Sequence, residues 1–116
     1  MIIRGGHNIH PARIEDLALR HPAVSKAAAV AVPDARLGER VCLVLVVSAP
    51  IDGEALLTHL DAAGLSKYDM PEYLVLTDRM PLGPTGKILK RELGAWIGSG
   101  RLVPVPIKRR HAEEAA

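Results

Sequence analysis

Two long apolar runs near the middle of the chain restrict its fold more than any other feature. The runs AVSKAAAVAVP (residues 23–33) and RVCLVLVVS (residues 40–48) are separated by the polar, glycine-containing segment DARLGE. Both runs are apolar and have the length of a strand, and the segment between them has the composition of a turn. The pattern predicts two neighbouring β-strands.

Helical patterns surround these strands. One begins at Pro11 with apolar residues at the spacing of one helical face, and others cover residues 54–63 and 87–97. The run EYLVLT (residues 72–77) has the composition of a third strand. We therefore predict an α+β fold with a central three-stranded β-sheet flanked by helices, preceded by a short N-terminal β-strand and loop.

The length of the chain fits one domain. With 116 residues and 48% apolar composition, a single core can bury about 65% of the surface that the unfolded chain exposes. We expect residues 1–97 to form this domain. Residues 98–116 contain prolines, a basic triplet and an acidic, alanine-rich end, so we expect an extended or disordered tail.

The composition also argues against several classes of partner. Aromatic residues make up only 3% of the chain, which leaves few stacking surfaces for single-stranded nucleic acid, and the net charge of +2 forms no basic stripe for a duplex. No apolar stretch reaches the ~18 residues of a membrane span, and the N-terminus lacks a signal-peptide pattern. The single cysteine, Cys42, cannot form an internal disulfide. We expect no nucleic-acid partner, no membrane span and a cytoplasmic location.

Lys87 directly follows a glycine- and proline-rich turn in the segment PLGPTGKILKREL (residues 81–93). This segment is not a phosphate loop of the G-x-x-x-x-G-K-[ST] type, because Pro81 replaces the first glycine and Ile88 replaces the hydroxyl residue. What remains is a cation at the end of a turn that can neutralise a developing negative charge on another surface. On composition alone, a solvated surface lysine is the simpler interpretation.

The segment RGGHN (residues 4–8) contains two adjacent glycines. They would let the backbone approach a ligand closely, but a plain strand-to-helix turn, with an anion-binding nest as a variant, explains them equally well. His7 and His10 have a spacing that would suit one metal ion. A catalytic zinc usually needs three protein ligands, and no cysteine or carboxylate cluster accompanies the two histidines, so we predict no metal site.

The order of these segments is more informative than any one of them. The segments MIIRGGHNIHPARIEDLALRHPAV, VPDARLGERVCLVLV and YDMPEYLVLTDRMPLGPTGKILKREL resemble the C-terminal domain of the adenylate-forming superfamily. That superfamily contains the acyl-CoA synthetases, the adenylation domains of nonribosomal peptide synthesis and the beetle luciferases. The resemblance covers residues 1–97 and excludes the tail.

The resemblance implies a role for Lys87 in adenylation. In this superfamily a large N-terminal domain binds ATP and the acid, and a domain of this size rotates over it to serve two half-reactions. The signature P-x-x-x-x-G-K matches Pro81, Gly86 and Lys87. Lys87 would contact the carboxylate and the α-phosphate side of ATP while acyl-AMP forms, and Glu15 would have a structural role.

The resemblance also implies a surface for coenzyme A. The glycine-rich loop of the family matches Gly5 and Gly6, and Gly6 would lie against the pantetheine arm after rotation. Tyr68 and Leu37 fall where some members contact the adenine of the coenzyme. Asp69 stands where such members often carry a basic residue.

The implied function is that of the mobile C-terminal domain of an ATP-dependent acyl-CoA synthetase, an acid-thiol ligase. Its cofactors would be coenzyme A and ATP with magnesium, the latter bound mainly by a large N-terminal adenylation domain that lies outside this chain. That domain of the same enzyme and a small carboxylic acid would be its partners. We expect this chain alone to be inactive.

Two alternatives remain open at this point. The chain would also suit the lid of a peptide-synthetase-type adenylation domain, which passes its product to the thiol of a carrier protein. An alternative from another class is a free-standing, non-catalytic interaction module with the same fold.

Overall fold

The computed structural model describes residues 1–107. Within this range the six strands are β1 (Ile2–Arg4), β2 (His7–Ile9), β3 (Val24–Asp34), β4 (Gly38–Val47), β5 (Tyr73–Thr77) and β6 (Val105–Pro106). The α-helices are α1 (Pro11–Ala18), α2 (Gly53–Ala62) and α3 (Lys90–Gly98), and a short 3-10 helix covers Lys67–Asp69. The predicted α+β class is confirmed.

Strand β4 organises the mixed sheet. Strand β3 pairs with it in antiparallel orientation along nearly its whole length, and β5 pairs with it in parallel. At its start, Gly38 pairs with Arg4 of β1, which in turn pairs with β2. The three strands predicted for the sheet are thus β3, β4 and β5, and the predicted short N-terminal strand is β1. Strands β1, β2 and β6 extend the sheet from three strands to six.

The side chains of β4 alternate between two cores, because successive residues of a strand point to opposite faces of the sheet. Leu43 and Leu45 pack in a core that includes the buried residues of α1 and α2. Cys42 and Val44 pack in a second core with Leu93 of α3. Both faces of the sheet are therefore covered, which explains why the central runs are apolar at almost every position.

The helix ends follow local chemistry. Helix α1 begins at Pro11, where the missing backbone N–H costs nothing because a first-turn amide has no partner in the helix. Helix α2 begins after Asp52, whose Oδ1 accepts a hydrogen bond from the amide of Ala55 at 2.7 Å. Such a cap contributes about 1 kcal/mol to helix stability.

Glu15 connects α1 to β3 and to α3. Its Oε2 accepts a hydrogen bond from the amide of Ala29 at 2.8 Å, and Nζ of Lys90 lies 2.5 Å from the same oxygen. Among the described strands β3 pairs only with β4, so Glu15 satisfies an amide on the open side of β3. This contact agrees with the structural role expected for Glu15.

The segment after α3 contributes to the sheet. Strand β6 pairs with β5 in antiparallel orientation, and the amide of Ile107 donates to the carbonyl of Glu72 at 2.8 Å. The side chain of Ile107 lies so close to Gly53 that a β-carbon there would be 2.8 Å from its Cγ2. The predicted extended or disordered tail thus includes a paired strand in its first part, and residues 108–116 lie outside the described residues.

None of the helices between residues 1 and 107 has the length and apolar character that crossing a membrane requires.

Candidate functional site

Lys87 lies at the end of a closed hairpin turn. The amide of Gly86 donates to the carbonyl of Gly83 at 2.9 Å, and the amide of Gly83 donates to the carbonyl of Lys87 at 2.8 Å. Gly86 has a φ of 86°. This is the three-residue hairpin loop in which a turn is followed by a bulge residue of positive φ, a position that favours glycine because it has no β-carbon.

The base of this turn is fixed to the second core. The amide of Leu89 donates to the carbonyl of Pro81 at 2.8 Å, which closes the hairpin at its base. Ile88 packs against the core that contains Met80 and Leu93. The turn is therefore braced on both sides of Lys87.

The ammonium group of Lys87 is available to an external partner. The residue is exposed, and its side chain forms no hydrogen bond or ion pair with any residue in the range 1–107. The nearby Lys90 is instead paired with Glu15. Lys87 thus presents an uncompensated positive charge on a hydrogen-bonded turn, where a second surface that excludes water would strengthen its attraction for an anion.

Gly5 and Gly6 form the turn between β1 and β2. Their φ values are 55° and 84°. Two successive residues of positive φ reverse the chain in a two-residue turn of the I′ kind, which is why a second strand fits before α1. The interpretation of this segment as a strand-to-helix turn was therefore wrong, because the two glycines join two strands.

The two glycines have different surroundings. The amide of Gly5 donates to the carbonyl of Leu37 at 2.8 Å, and a β-carbon on Gly5 would lie 3.3 Å from Cδ2 of Leu37. A β-carbon on Gly6 would meet no heavy atom within 4 Å. Gly6 therefore borders open space, while Gly5 fixes the hairpin against the turn between β3 and β4.

Tyr68 lies beside this hairpin. The residue is 63% exposed, and its ring centroid is 6.2 Å from that of His7. Nε2 of His7 lies 2.7 Å from Oδ1 of Asp69, the next residue of the 3-10 helix. The structure thus brings together four residues singled out in the sequence, and we call the surface that they form the glycine-hairpin surface: Gly5, Gly6, Leu37 and Tyr68.

The two histidines do not share a ligand. His7 pairs with Asp69, whereas His10 is the exposed residue directly before α1. Residues 1–107 contain no group of three or more histidine, cysteine, aspartate or glutamate side chains arranged to hold a metal ion.

Sequence reasoning missed Arg4. Nη1 of Arg4 lies 2.6 Å from Oε1 of Glu72 and donates to the carbonyl of Met70 at 3.1 Å, and Nη2 donates to the carbonyl of Tyr68. The only local signal was the position of Arg4 directly before the glycine pair. No sequence pattern links it to Glu72, because the two residues are far apart along the chain.

Lys87 and the glycine-hairpin surface are anchored on opposite faces of the sheet. Ile2 and Ile9 pair with each other at the end of the hairpin away from its turn, and both belong to the core formed with α1 and α2. Ile88, which follows Lys87, packs against the other core.

Comparison with known protein families identifies the domain. Residues 13–87, well over half of the chain, match the AMP-binding enzyme C-terminal domain. The chain belongs to this family. The resemblance to the C-terminal domain of the adenylate-forming superfamily is confirmed.

Known relatives carry this AMP-binding enzyme C-terminal domain within longer chains. The domain is 38% identical over 93 residues to the medium-chain fatty-acid–CoA ligase of Escherichia coli K12, covering 78% of this chain and 16% of the ligase. It is 38% identical over 112 residues to the salicyl-AMP ligase / salicyl-S-ArCP synthetase of Mycobacterium tuberculosis H37Rv, covering 96% of this chain and 20% of that protein. The chain thus spans no more than a fifth of the length of these relatives.

A solved structure shows the same fold. The fatty acyl CoA synthetase of Mycobacterium tuberculosis matches with a TM-score of 0.80 and 31% identity, covering 86% of this chain and 20% of that one.

Proposed function

We propose that this chain is the mobile C-terminal domain of an ATP-dependent acid-thiol ligase, which forms an acyl-AMP and then transfers the acyl group to coenzyme A. The observation that carries the proposal is the pair of differently built loops anchored on opposite faces of one sheet. One loop presents an unpaired cation and the other presents a glycine beside open space. Each suits one half-reaction.

Lys87 serves the first half-reaction. A carboxylate oxygen of the acid attacks the α-phosphorus of ATP, a new P–O bond forms, and pyrophosphate leaves with the electrons of the broken bond. Negative charge develops on the α-phosphate oxygens during this step. An ammonium group that has no competing partner within residues 1–107 is free to stabilise this charge, and the N-terminal domain would hold most of ATP and its magnesium.

The glycine-hairpin surface serves the second half-reaction. The open space beside Gly6 gives the pantetheine arm of coenzyme A a path along the backbone, and the exposed ring of Tyr68 offers a contact for the adenine. The thiol sulfur attacks the acyl carbonyl and loses its proton, and AMP leaves as the thioester forms. The same domain must therefore present a different face to the active site in each step.

Transfer to a carrier protein is the second candidate. The similarity to the salicyl-AMP ligase / salicyl-S-ArCP synthetase extends over 96% of this chain, and a carrier protein presents the same pantetheine arm without the adenine. Asp69, which lies next to Tyr68 and faces His7, adds negative charge near the place proposed for an anionic nucleotide. Nζ of Lys67 lies 5.2 Å from the centroid of the Tyr68 ring, so a positive charge stands beside the same ring and the comparison of the two acceptors is left to experiment.

The complete ligase that contains this domain provides the test. Acid-dependent exchange of pyrophosphate into ATP measures the first step, and thioester formation from supplied acyl-AMP measures the second. We expect both activities, with coenzyme A as acceptor. A ligase that accepts only a pantetheine-bearing carrier protein would support the second candidate. The absence of an adenylation domain upstream in the same reading frame, or of exchange with every carboxylate tested, would overturn the proposal.

A further inference from the structure

A chain of ion pairs joins the three segments that carry the glycine-hairpin surface. Its first member is Arg4, which directly precedes Gly5 and whose side chain is only 16% exposed. The guanidinium of Arg4 donates to the backbone carbonyls of Tyr68 and Met70. Arg4, a residue of β1, thus fixes the backbone of the segment that carries Tyr68.

Glu72 fixes Arg4 to the central strand. Its Oε1 lies 2.6 Å from Nη1 of Arg4 and also accepts the amide of Val41 at 3.0 Å. Its Oε2 lies 3.4 Å from Nη1 of Arg40. A carboxylate with two cationic neighbours and a backbone donor is held in one orientation.

Arg40 continues the chain to the turn that carries Leu37. Its Nε lies 2.5 Å from Oδ2 of Asp34, while Oδ1 of Asp34 accepts the amides of Arg36 and Leu37 at 2.9 and 2.7 Å. Hydrogen bonding from Arg40, with a further contribution from the amide of Leu37, lowers the pKa of Asp34 to about 2. The Leu37 turn is therefore tied to the same network as the Tyr68 segment.

The hydrogen bonds of Arg4 fix the main chain of the segment that carries Tyr68. Both of its carbonyl partners belong to the segment around Tyr68, and no hydrogen bond or ion pair within residues 1–107 connects the network to Lys87. The two loops are thus supported independently.

We propose that Arg4 and Glu72 are positioning residues for thiol transfer, and this inference rests on the function proposed above. They hold the glycine hairpin, Leu37 and Tyr68 at a fixed spacing before the acceptor arrives. A flexible pantetheine arm then binds to a prepared surface instead of ordering three separate segments, which lowers the entropic cost of binding.

The test uses Arg4→Gln in the complete ligase with coenzyme A as the variable substrate. Loss of the charged hydrogen bonds should raise KM for coenzyme A about tenfold or more, while acid-dependent pyrophosphate exchange stays within about twofold of the wild type. Arg4→Lys keeps the positive charge opposite Glu72, so its KM for coenzyme A should lie between those of the wild type and Arg4→Gln. Arg20→Gln is the matched control, because Arg20 is exposed and makes no side-chain bond within residues 1–107.

A double-mutant cycle separates positioning from general stability. If Arg4 acts through Tyr68, Arg4→Gln should raise KM for coenzyme A much less in a Tyr68→Ala background than in the wild type. Additive effects of the two substitutions, equal losses of both half-reactions, or an unchanged KM would each overturn the inference. If Arg4→Gln is unfolded at the assay temperature, Glu72→Gln, which retains the shape of the side chain, decides by the same criteria. A wild-type ligase without pyrophosphate exchange would instead overturn the proposed function.

Discussion

The amide of Gly5 donates a hydrogen bond to the carbonyl of Leu37 at 2.8 Å, which holds the N-terminal hairpin against the turn between β3 and β4. A side chain on Gly5 would press on Leu37, whereas one on Gly6 would enter open space. A substitution of Gly6 therefore tests the space beside the hairpin without displacing Leu37.

For Gly6→Leu in the complete ligase, we expect thioester formation from supplied acyl-AMP to fall about a hundredfold, because the new side chain fills the proposed path of the pantetheine arm. Pyrophosphate exchange should be nearly unchanged. Gly100→Leu is the matched control, since both glycines have a φ of 84° and open surroundings and so share the same backbone strain of about 1–2 kcal/mol. Equal rates of thioester formation in the two variants would refute the assignment of Gly6.

Lys87→Ala should have the opposite effect. We expect pyrophosphate exchange to slow by about 10² or more, the scale for removal of one preorganised electrostatic contact, while supplied acyl-AMP still reacts with coenzyme A. Lys26→Ala is a suitable control, because Lys26 lies on β3 and forms no ion pair within residues 1–107. The role proposed for Lys87 is wrong if both variants exchange pyrophosphate at the wild-type rate.

The chain by itself should fold but show no ligase turnover. In open solvent, an ammonium group 4 Å from a phosphate oxygen gains only about 1 kcal/mol, which is far too little to promote adenylation. Circular dichroism would establish folding, and release of AMP or pyrophosphate with ATP, coenzyme A and a set of carboxylates would measure turnover. Acid-dependent release above the buffer rate would contradict the proposal.

The ion pair between Asp34 and Arg40 should stabilise the fold in a pH-dependent way. Because the pKa of Asp34 is lowered to about 2 in the folded chain, against about 3.9 when unfolded, its contribution is complete above about pH 4 and is lost as the pH falls through 2. The wild type should therefore have a higher free energy of unfolding than Asp34→Asn at pH 4, and this difference should decrease as the pH falls from 4 to 2. A wild-type advantage over Asp34→Asn that stays constant across this range would rule out the effect.

Cys42 should be inert in the folded chain. Its side chain is buried in the second core, and burial raises the pKa of its thiol to about 12. We expect no reaction with a thiol reagent at pH 8 over minutes, and complete reaction after unfolding in guanidinium chloride. Rapid labelling of the native chain would show that the second core opens easily.

Sequence reasoning predicted the elements that have a clear hydrophobic period. Strands β3, β4 and β5 and the three helices were all recognised from apolar spacing and turn residues. Strands β2 and β6 have three and two residues, too few for any period to be visible. The adjacent glycines at positions 5 and 6 did carry a hairpin signal, which the short flanking runs concealed.

The candidate site was only partly visible in the sequence. Lys87 and Gly6 stand in local motifs, so they could be found without a structure. The contact between Arg4 and Glu72 depends on how distant segments meet beside β4, and no local pattern records it. Leu37 and Tyr68 entered only through the family resemblance, and the structure shows that they lie beside the same hairpin.

The carboxylate of Glu15 also bears on solubility. The open side of β3 is a place where another chain can add a strand, and strand addition of this kind begins aggregation. There the amide of Ala29 donates to Oε2 of Glu15, and Lys90 forms an ion pair with the same oxygen. Two charged side chains therefore lie where the backbone of an added strand would have to pair. The domain thus protects the middle of β3 with charge instead of with another strand.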